Sequence, residues 1–483
     1  MKAVAEIHAT VRARGQEHLL RWCDGLGEAQ RGELLASIES IPWDVVDGLI
    51  QTHVLRAPGT GSAGSLAPAT VYPHEPGAGR REMYRKAREE GAALLRAGKI
   101  AAFTVAGGQG SRLGVSGPKG AVVVTPVGGR TLFQFFAEMV LAARRKYAAN
   151  IPWYIMTSPA NHEETIGFFQ KHGFFDLPRD DVIFFPQGTL PAFNFSGKIL
   201  LDERHRVALA PDGHGGSLKA MKVSGALDDM RRRGIEIISY FQVDNPLVQP
   251  FDPLFIGLHR STGSEMSTKV ARKADDLERV GNVCLKDGKL AVVEYTEFPE
   301  ITARAKNPDG TRMFDAGNLA IHLLDADFVR RVTAGPLSLP YRRAEKAVAY
   351  VDDFGTRVEP KKPNAVKLET FIFDVLPLAK NPLVLEVDRA EEFSPVKNAT
   401  GVDSLETAQR DLVRRSCRWL AQAGVPIPRR ADGEPDAKIV LSPLRVLDGD
   451  DLTNVRDCIL PIARGESRYL TSDPEGVQEC SHG

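Results

Sequence analysis

The sequence predicts an α/β fold: a mostly parallel sheet covered by helices, with an N-terminal helical region before it and a small C-terminal α+β domain after it. Three observations predict it. Short apolar runs recur at Ile100–Val105, Trp153–Thr157, Val182–Phe185, Ile235–Val243, Leu290–Tyr295 and Leu383–Val387. They alternate with stretches of helical spacing at Leu132–Lys146, Glu163–His172 and Ser217–Arg233. The runs are continuous rather than polar–apolar alternating, as in parallel strands buried on both faces. Ligands of such sheets bind at the carboxyl ends of the strands, so the residues after each run are the candidates for function.

Each element can be justified in order. Leu34, Leu35, Ile38 and Ile41 keep helical spacing, and Asp44 can cap a turn carrying Val45, Val46, Leu49 and Ile50. Residues 56–80 are rich in Gly, Pro, Ser and Ala and read as a linker or surface loop. A helix over 81–98 turns Met83, Ala87, Leu94 and Leu95 inward and stops at Gly98. The expected division is therefore a helical region over 1–98, the sheet domain over 99–400 and a small domain over 401–483. In the last, a helix runs from Ser404 to Ala423 and stops at Gly424 with Pro426 beyond. Ile439–Leu441 and Leu444–Leu447 are strand-like pieces before a polar tail.

The 483 residues include 62 basic and 62 acidic side chains, so the formal net charge is zero. Nothing pulls the chain globally toward nucleic acid or anionic lipid, and neither is an expected partner. Any anionic ligand needs a local site. No stretch approaches the ~20 apolar residues of a membrane span, and Met1-Lys2-Ala3-Val4-Ala5-Glu6 does not open like a signal peptide. Cys23, Cys284, Cys417, Cys458 and Cys480 are scattered and odd in number, without zinc-knuckle or redox spacing. They read as reduced structural thiols, and a cytoplasmic location is expected.

Ile100–Val105 leads directly into Ala106-Gly107-Gly108-Gln109-Gly110-Ser111-Arg112-Leu113-Gly114 and then Val115-Ser116-Gly117-Pro118-Lys119-Gly120. Six glycines and two cations share residues 107–120. Backbone N–H groups of such a loop can approach an anion without interference from Cβ atoms, and Arg112 and Lys119 add charge for phosphate oxygens. The alternative is a tight strand-to-helix turn. Two other phosphate loops are excluded. A P-loop needs Gly-Lys-Ser/Thr, whereas Pro118 and Gly120 flank Lys119; a dinucleotide fingerprint needs glycine where Leu113 stands, and an acid where Val122–Val124 runs into Thr125-Pro126.

This loop resembles the Gly-Gly-x-Gly-Thr-Arg-Leu-Gly…Pro-Lys-Gly signature of the UDP-sugar pyrophosphorylase family (UDPGP type 1), especially its UDP-N-acetylhexosamine, or UDP-N-acetylglucosamine, branch. Ser111 replaces the usual threonine and keeps the hydroxyl. Further blocks are similar and follow in family order: Trp153–Ser158, Gln187–Ala192, Ala210–Gly216, Val243-Asp244-Asn245 and Val293–Glu297. Ala316-Gly317-Asn318, Lys362-Pro363-Asn364 and Glu392–Asn398 complete a resemblance spanning roughly residues 100 to 450.

The resemblance implies a Rossmann-like, GT-A-like nucleotidyltransferase fold and assigns roles. Ala106, Gly107, Gly108, Gly110, Gln187, Gly213 and His214 match nucleotide-binding positions. A side-chain amide such as Gln187 offers the donor and acceptor that a pyrimidine edge requires. Read alone, Gln187 is a solvated loop residue. Asp244 ends a long apolar run and matches a ligand of Mg²⁺, a hard cation suited to carboxylate and phosphate oxygens. A cap or turn at a strand end is the alternative. Gly281, Glu294 and Asn318 match positions around the sugar, although Glu294 alone reads as a solvated strand face. Arg112, Lys119 and Lys397 match residues reaching the phosphates.

The implied reaction joins UTP and a sugar 1-phosphate into UDP-sugar and pyrophosphate, with Mg²⁺ as cofactor. The implied sugar is N-acetylglucosamine 1-phosphate. His214 is a departure, standing where the acetylhexosamine branch has asparagine and the UDP-glucose branch has histidine. That leaves glucose or galactose 1-phosphate, or broad tolerance, as the alternative. An inactive nucleotide-sugar binding protein would lack Arg112, Lys119 or Asp244, and all three are present. Small-molecule substrates and a monomer or weak homo-oligomer are expected.

Overall fold

Ile100–Val105 buries every side chain but Val105, as a strand flanked on both sides and covered on both faces must. In the computed structural model, which describes residues 4–56, 64–335, 337–454 and 461–471, it lies within a ten-stranded sheet. Ile237–Gln242, Ile100–Val105, Trp153–Thr157 and Val182–Pro186 run parallel side by side. The register sets Gln242 opposite Val105 and Val105 opposite Met156, so the loops after these strands leave from one edge. On the other side the long strand Ala316–Asp325 pairs antiparallel with Ile237–Gln242 and with Met266–Arg272, and Leu383–Glu386 then pairs parallel with the latter.

Lys289–Val293 forms an antiparallel hairpin with Asn282–Lys286, turned by Asp287-Gly288. Both turn residues have positive φ, 50° and 76°, the conformation an Asp-Gly hairpin turn requires. Helices Leu132–Tyr147, His162–Lys171 and Leu405–Gln422 fall where helical spacing predicts them. The stretch Ser217–Arg233 is instead two helices, Ser217–Val223 and Ala226–Arg232, because Gly225 at φ 79° interrupts it. Val122–Val124 is not a sheet strand and makes one bridge, Val123 to Thr131.

Two readings of the flanking segments are corrected. Within the expected linker 56–80, residues 57–63 lie outside the described residues, but Leu66–Pro68 is an edge strand on Asn282–Lys286. Tyr72 also exchanges backbone hydrogen bonds with Val384 and Glu386, both at 2.8 Å. Proline is tolerated there because an edge strand need not donate on both sides. Leu444–Leu447 is not a strand: Arg445 N–H and Val446 N–H bond back to Ser442 O, which curls the chain into a turn. The true partner of Lys438–Leu441 is Ser467–Leu470, parallel to it.

The chain groups into two compact units rather than three consecutive ones. The first unites Met1–Ala63, Gln187–Lys219 and Ser338–Asp374. Its core joins Leu34, Leu35 and Ile38 of the helix Glu28–Glu39 to Phe193, Ile199, Val366 and Leu368. The second contains the ten-stranded sheet, Gly64–Pro186, Ala220–Leu337 and Val375–Gly483. The C-terminal helix packs Cys417 and Leu420 on Ile439 and Leu470 in a small core of its own. Glu138, on the sheet-covering helix, ties this portion down by accepting from Ser442 Oγ (2.6 Å) and Tyr469 Oη (2.5 Å). Cys23, Cys284 and Cys417 are buried free thiols, while Cys458 and Cys480 lie outside the described residues. No helix among the described residues is long and apolar enough to cross a membrane.

Candidate active site

The glycine-rich loop of the second unit closes on itself. Gly110 N–H donates to Gly117 O (2.8 Å) and Lys119 N–H to Gly108 O (3.0 Å), returning Lys119 to the strand end the loop left. Gly117 sits at φ 100°, a backbone conformation that L side chains rarely adopt, so glycine is what suits the return. Asn161 pins the base, donating from Nδ2 to Ala106 O (3.1 Å) and Gly108 O (3.3 Å). Ala106 N–H is used as well, on Met156 O (2.7 Å). Ala106 and Gly110 therefore hold the loop's shape and have no backbone N–H to spare. Of these four predicted positions, Gly107 and Gly108 make no backbone N–H bond among the described residues, so theirs can face an anion.

Lys119 Nζ lies 3.5 Å from Asp244 Oδ2, and both side chains are less than one-fifth exposed. The two strand ends thus bring together a cation and a carboxylate that were far apart in sequence. Asp244 O accepts from Val396 N–H (2.8 Å), which sets Lys397 one residue from the same strand end. Lys397 is partly exposed, 3.7 Å from Asp403 Oδ2 and over the Phe393 ring. Arg112 is exposed on the loop and makes no ion pair among the described residues.

A second group meets around Gly281. Asn318 N–H donates to Gly281 O (2.8 Å), and a Cβ on Gly281 would lie 2.6 Å from Val292 Cγ1 and 3.1 Å from Glu294 Oε1. Asn318 Oδ1 accepts from Ala320 N–H (3.2 Å) and Thr268 Oγ1 (3.4 Å). Its acceptor is thereby occupied, which leaves the NH₂ group to donate. Thr268 and Asn161 escaped sequence reading, since threonine is ordinary in a strand and Asn161 carries no motif.

In the first unit Gln187 is buried beside Gly188, whose Cβ position lies 2.4 Å from Asp212 Oδ2. Gly213 adopts φ 87° against the Thr370 backbone. His214 is committed to packing: its ring stacks on Phe371 at 4.9 Å and 4°, and Nδ1 accepts from Ile372 N–H (3.2 Å). Nε2 therefore carries the proton. Burial pushes the imidazole down to about 4, with Arg342 adding repulsion, so it is neutral at pH 7. What His214 offers a nucleotide is restricted to Nε2–H and its backbone. Burial has the opposite effect on Asp212, pushing its carboxyl up to about 6.

No cluster of three or more His, Cys, Asp or Glu that could cage a metal occurs among the described residues. Mg²⁺ fits none the less. It is commonly held by one or two carboxylates, with waters and substrate phosphates completing its shell. A nearly buried carboxylate beside a phosphate-type loop supplies that donor set.

Parallel strands ending in an anion loop, with a lysine and a carboxylate paired where the neighbouring strand stops, supply what a nucleotidyltransferase requires. Comparison with known proteins specifies which kind. Residues 72–421 match the family described as UTP–glucose-1-phosphate uridylyltransferase, and the chain belongs to that family. It is 38% identical to human UDP-N-acetylhexosamine pyrophosphorylase-like protein 1, over 94% of each chain. Identity to the UDP-N-acetylglucosamine pyrophosphorylase of Saccharomyces cerevisiae is 35%, over 85% of this chain and 90% of the yeast protein. The uridine diphosphate N-acetylglucosamine pyrophosphorylase of Trypanosoma brucei, solved with an inhibitor, superposes with TM-score 0.80 at 26% identity, covering 97% and 98% of the two chains.

Proposed function

We propose that the protein transfers the uridylyl group of UTP to N-acetylglucosamine 1-phosphate and releases pyrophosphate. The observation that carries this reading is the Lys119–Asp244 pair beside the glycine loop, in a chain whose curated relatives bear the acetylhexosamine or acetylglucosamine name. A sugar phosphate oxygen attacks the UTP α-phosphorus and the bond to the bridging oxygen of the β-phosphate breaks. That nucleophile is already ionised at pH 7, so no general base is needed, and positioning and electrostatics supply the rate.

The proposed roles follow from charge and hydrogen-bonding capacity. Gly107 and Gly108 N–H groups and Arg112 take the departing phosphates, and Lys119 the α-phosphate. Lys397 neutralises the sugar phosphate, while Gln187 and the Gly213 backbone hold the uracil. Asn318 donates to the sugar's oxygen acceptors and Glu294 accepts from its hydroxyls. Asp244 would hold Mg²⁺, which when bound withdraws charge from the phosphates and orients them. We place this activity in the cytoplasm, consistent with three buried free thiols.

The test is a pyrophosphate-release assay over nucleoside triphosphates and sugar 1-phosphates. UTP with N-acetylglucosamine 1-phosphate should give the highest kcat/KM. The family description names glucose 1-phosphate, and His214 matches the glucose branch, so that sugar is the second reading. A higher kcat/KM for glucose 1-phosphate would establish it, and no release with any UTP–sugar pair would remove catalysis altogether.

A further inference from the structure

The turn that follows Asp244 does more than end a strand. Asn245 is 4% exposed and uses both ends of its amide on one passing segment. Nδ2 donates to Glu392 O (2.7 Å), while Oδ1 accepts from Ser394 N–H (3.1 Å) and from Leu247 N–H (3.3 Å). Two residues further along that segment, Val396 N–H bonds Asp244 O, and Lys397 comes next. Residues 392–396 are thus aligned on residues 244–245 by three hydrogen bonds, one donated by Asn245 and two accepted by Asn245 and Asp244.

The far end of the segment is locked separately. Glu392 is fully buried and receives Lys269 Nζ on both oxygens, at 2.6 and 2.8 Å, and the same ammonium reaches Asp252 at 2.9 Å. Arg415 Nη1 donates to Leu247 O (2.8 Å) and Glu391 O (3.0 Å), joining the turn and the segment again. Beyond Val396 the chain doubles back tightly: Lys397 N–H and Asn398 N–H both bond Asp403 O. Lys397 therefore stands on a short arch with two fixed feet, one of them held by Asn245.

We propose that Asn245 is a positioning residue: its amide holds residues 392–396 in register with Asp244 and so fixes the distance from the Lys397 ammonium to the reacting phosphates. This rests on the reading of Lys397 as the residue that neutralises the sugar phosphate. Aspartate at 245 keeps the shape and the acceptor for Ser394 N–H but has no donor for Glu392 O. It sets two oxygen acceptors against each other and lets the segment slip. A displacement near 1 Å is enough to cost about 10²-fold in a step that depends on orientation.

The experiment is a double-mutant cycle between Asn245→Asp and Lys397→Ala, read as kcat and KM at saturating Mg²⁺. Asn245→Ser repeats the cycle without the added charge and stands in if the aspartate variant does not fold. Each position-245 variant should lower kcat about 10- to 100-fold and leave the KM for UTP within about threefold. In the Lys397→Ala background the second substitution should change kcat by less than about twofold, because the lysine it positions is gone. Effects that multiply, or wild-type kcat in a folded position-245 variant, would overturn the positioning role alone. Full turnover by Lys397→Ala would instead overturn the assignment of Lys397, and the positioning role with it.

Discussion

Lys119 and Asp244 neutralise each other at 3.5 Å in a place otherwise arranged for anions, so removing either leaves a charge exposed to the chemistry. Lys119→Ala should lower kcat by about 10² or more, the scale for losing one group that stabilises transition-state charge. Steady-state kinetics beside an unchanged circular dichroism spectrum checks this; near-normal turnover would strike Lys119 from the mechanism. Asp212 makes a different point. Its Oδ1 has no hydrogen-bond partner among the described residues, and the folded carboxyl holds its proton up to about pH 6. The unfolded carboxyl releases it near 4, so this group's stabilisation is complete below that pH and disappears as pH rises through about 6. Asp212→Asn mimics the protonated form and should raise the melting temperature at pH 7.5 but not at pH 4. At this scale Lys119 and Asp244 were legible because each lies where a strand delivers the chain to the functional edge. Thr268, Asn161 and the packing role of His214 were not, because orienting a neighbour leaves no trace in residue type or spacing.

Close approach governs two helices, Arg81–Arg96 and Pro253–Ser261, which cross at glycines. A Cβ on Gly257 would fall 1.7 Å from Ala87 O, and one on Gly91 1.9 Å from Pro253 O. Backbone cannot swing aside as a side chain can, so Gly257→Ala must separate the helices and lift residues of the core, among them Leu254 and Leu258. The thermal midpoint should fall by roughly 5 °C or more. A midpoint within a degree of wild type would mean that the crossing adapts. Helix positions were readable from their 3.6-residue period, whereas the glycine crossing depends on a partner some 170 residues away. The Asp287-Gly288 dipeptide is itself a hairpin signal, although Asn282–Lys286 before it holds an apolar run of only Val283-Cys284-Leu285. Leu444–Leu447 failed for the reverse reason: apolar residues were present, but Ser442 captured the backbone groups a strand needs.

Burial depresses histidines in both compact units: His214 in the first is held near 4, with His18 also lowered, and His259 in the second is held near 3. An unfolded imidazole takes its proton near 6.5, so protons favour the unfolded chain below that pH, and stability from these histidines is lost as pH falls from about 6.5. In the first unit Asp212 offsets part of this loss as it gains its proton. Calorimetry between pH 7.5 and 5 should show the melting temperature falling. A His259→Gln variant with an unaltered pH profile would exclude that histidine as the cause. The alternation of strands and helices announced the sheet, but the division into units lay beyond local pattern. The helix Glu28–Glu39 displays an apolar face without naming what covers it, and Phe193, Val366 and Leu368 do so from distant segments. That arrangement has a temporal cost. A ribosome adding about 5–20 residues per second reaches Asp374 roughly 15–60 s after it passes Ala63. Throughout that interval Leu34, Leu35 and Ile38 lack the last of their neighbours, Val366 and Leu368, and nascent-chain chaperones have that long to find them.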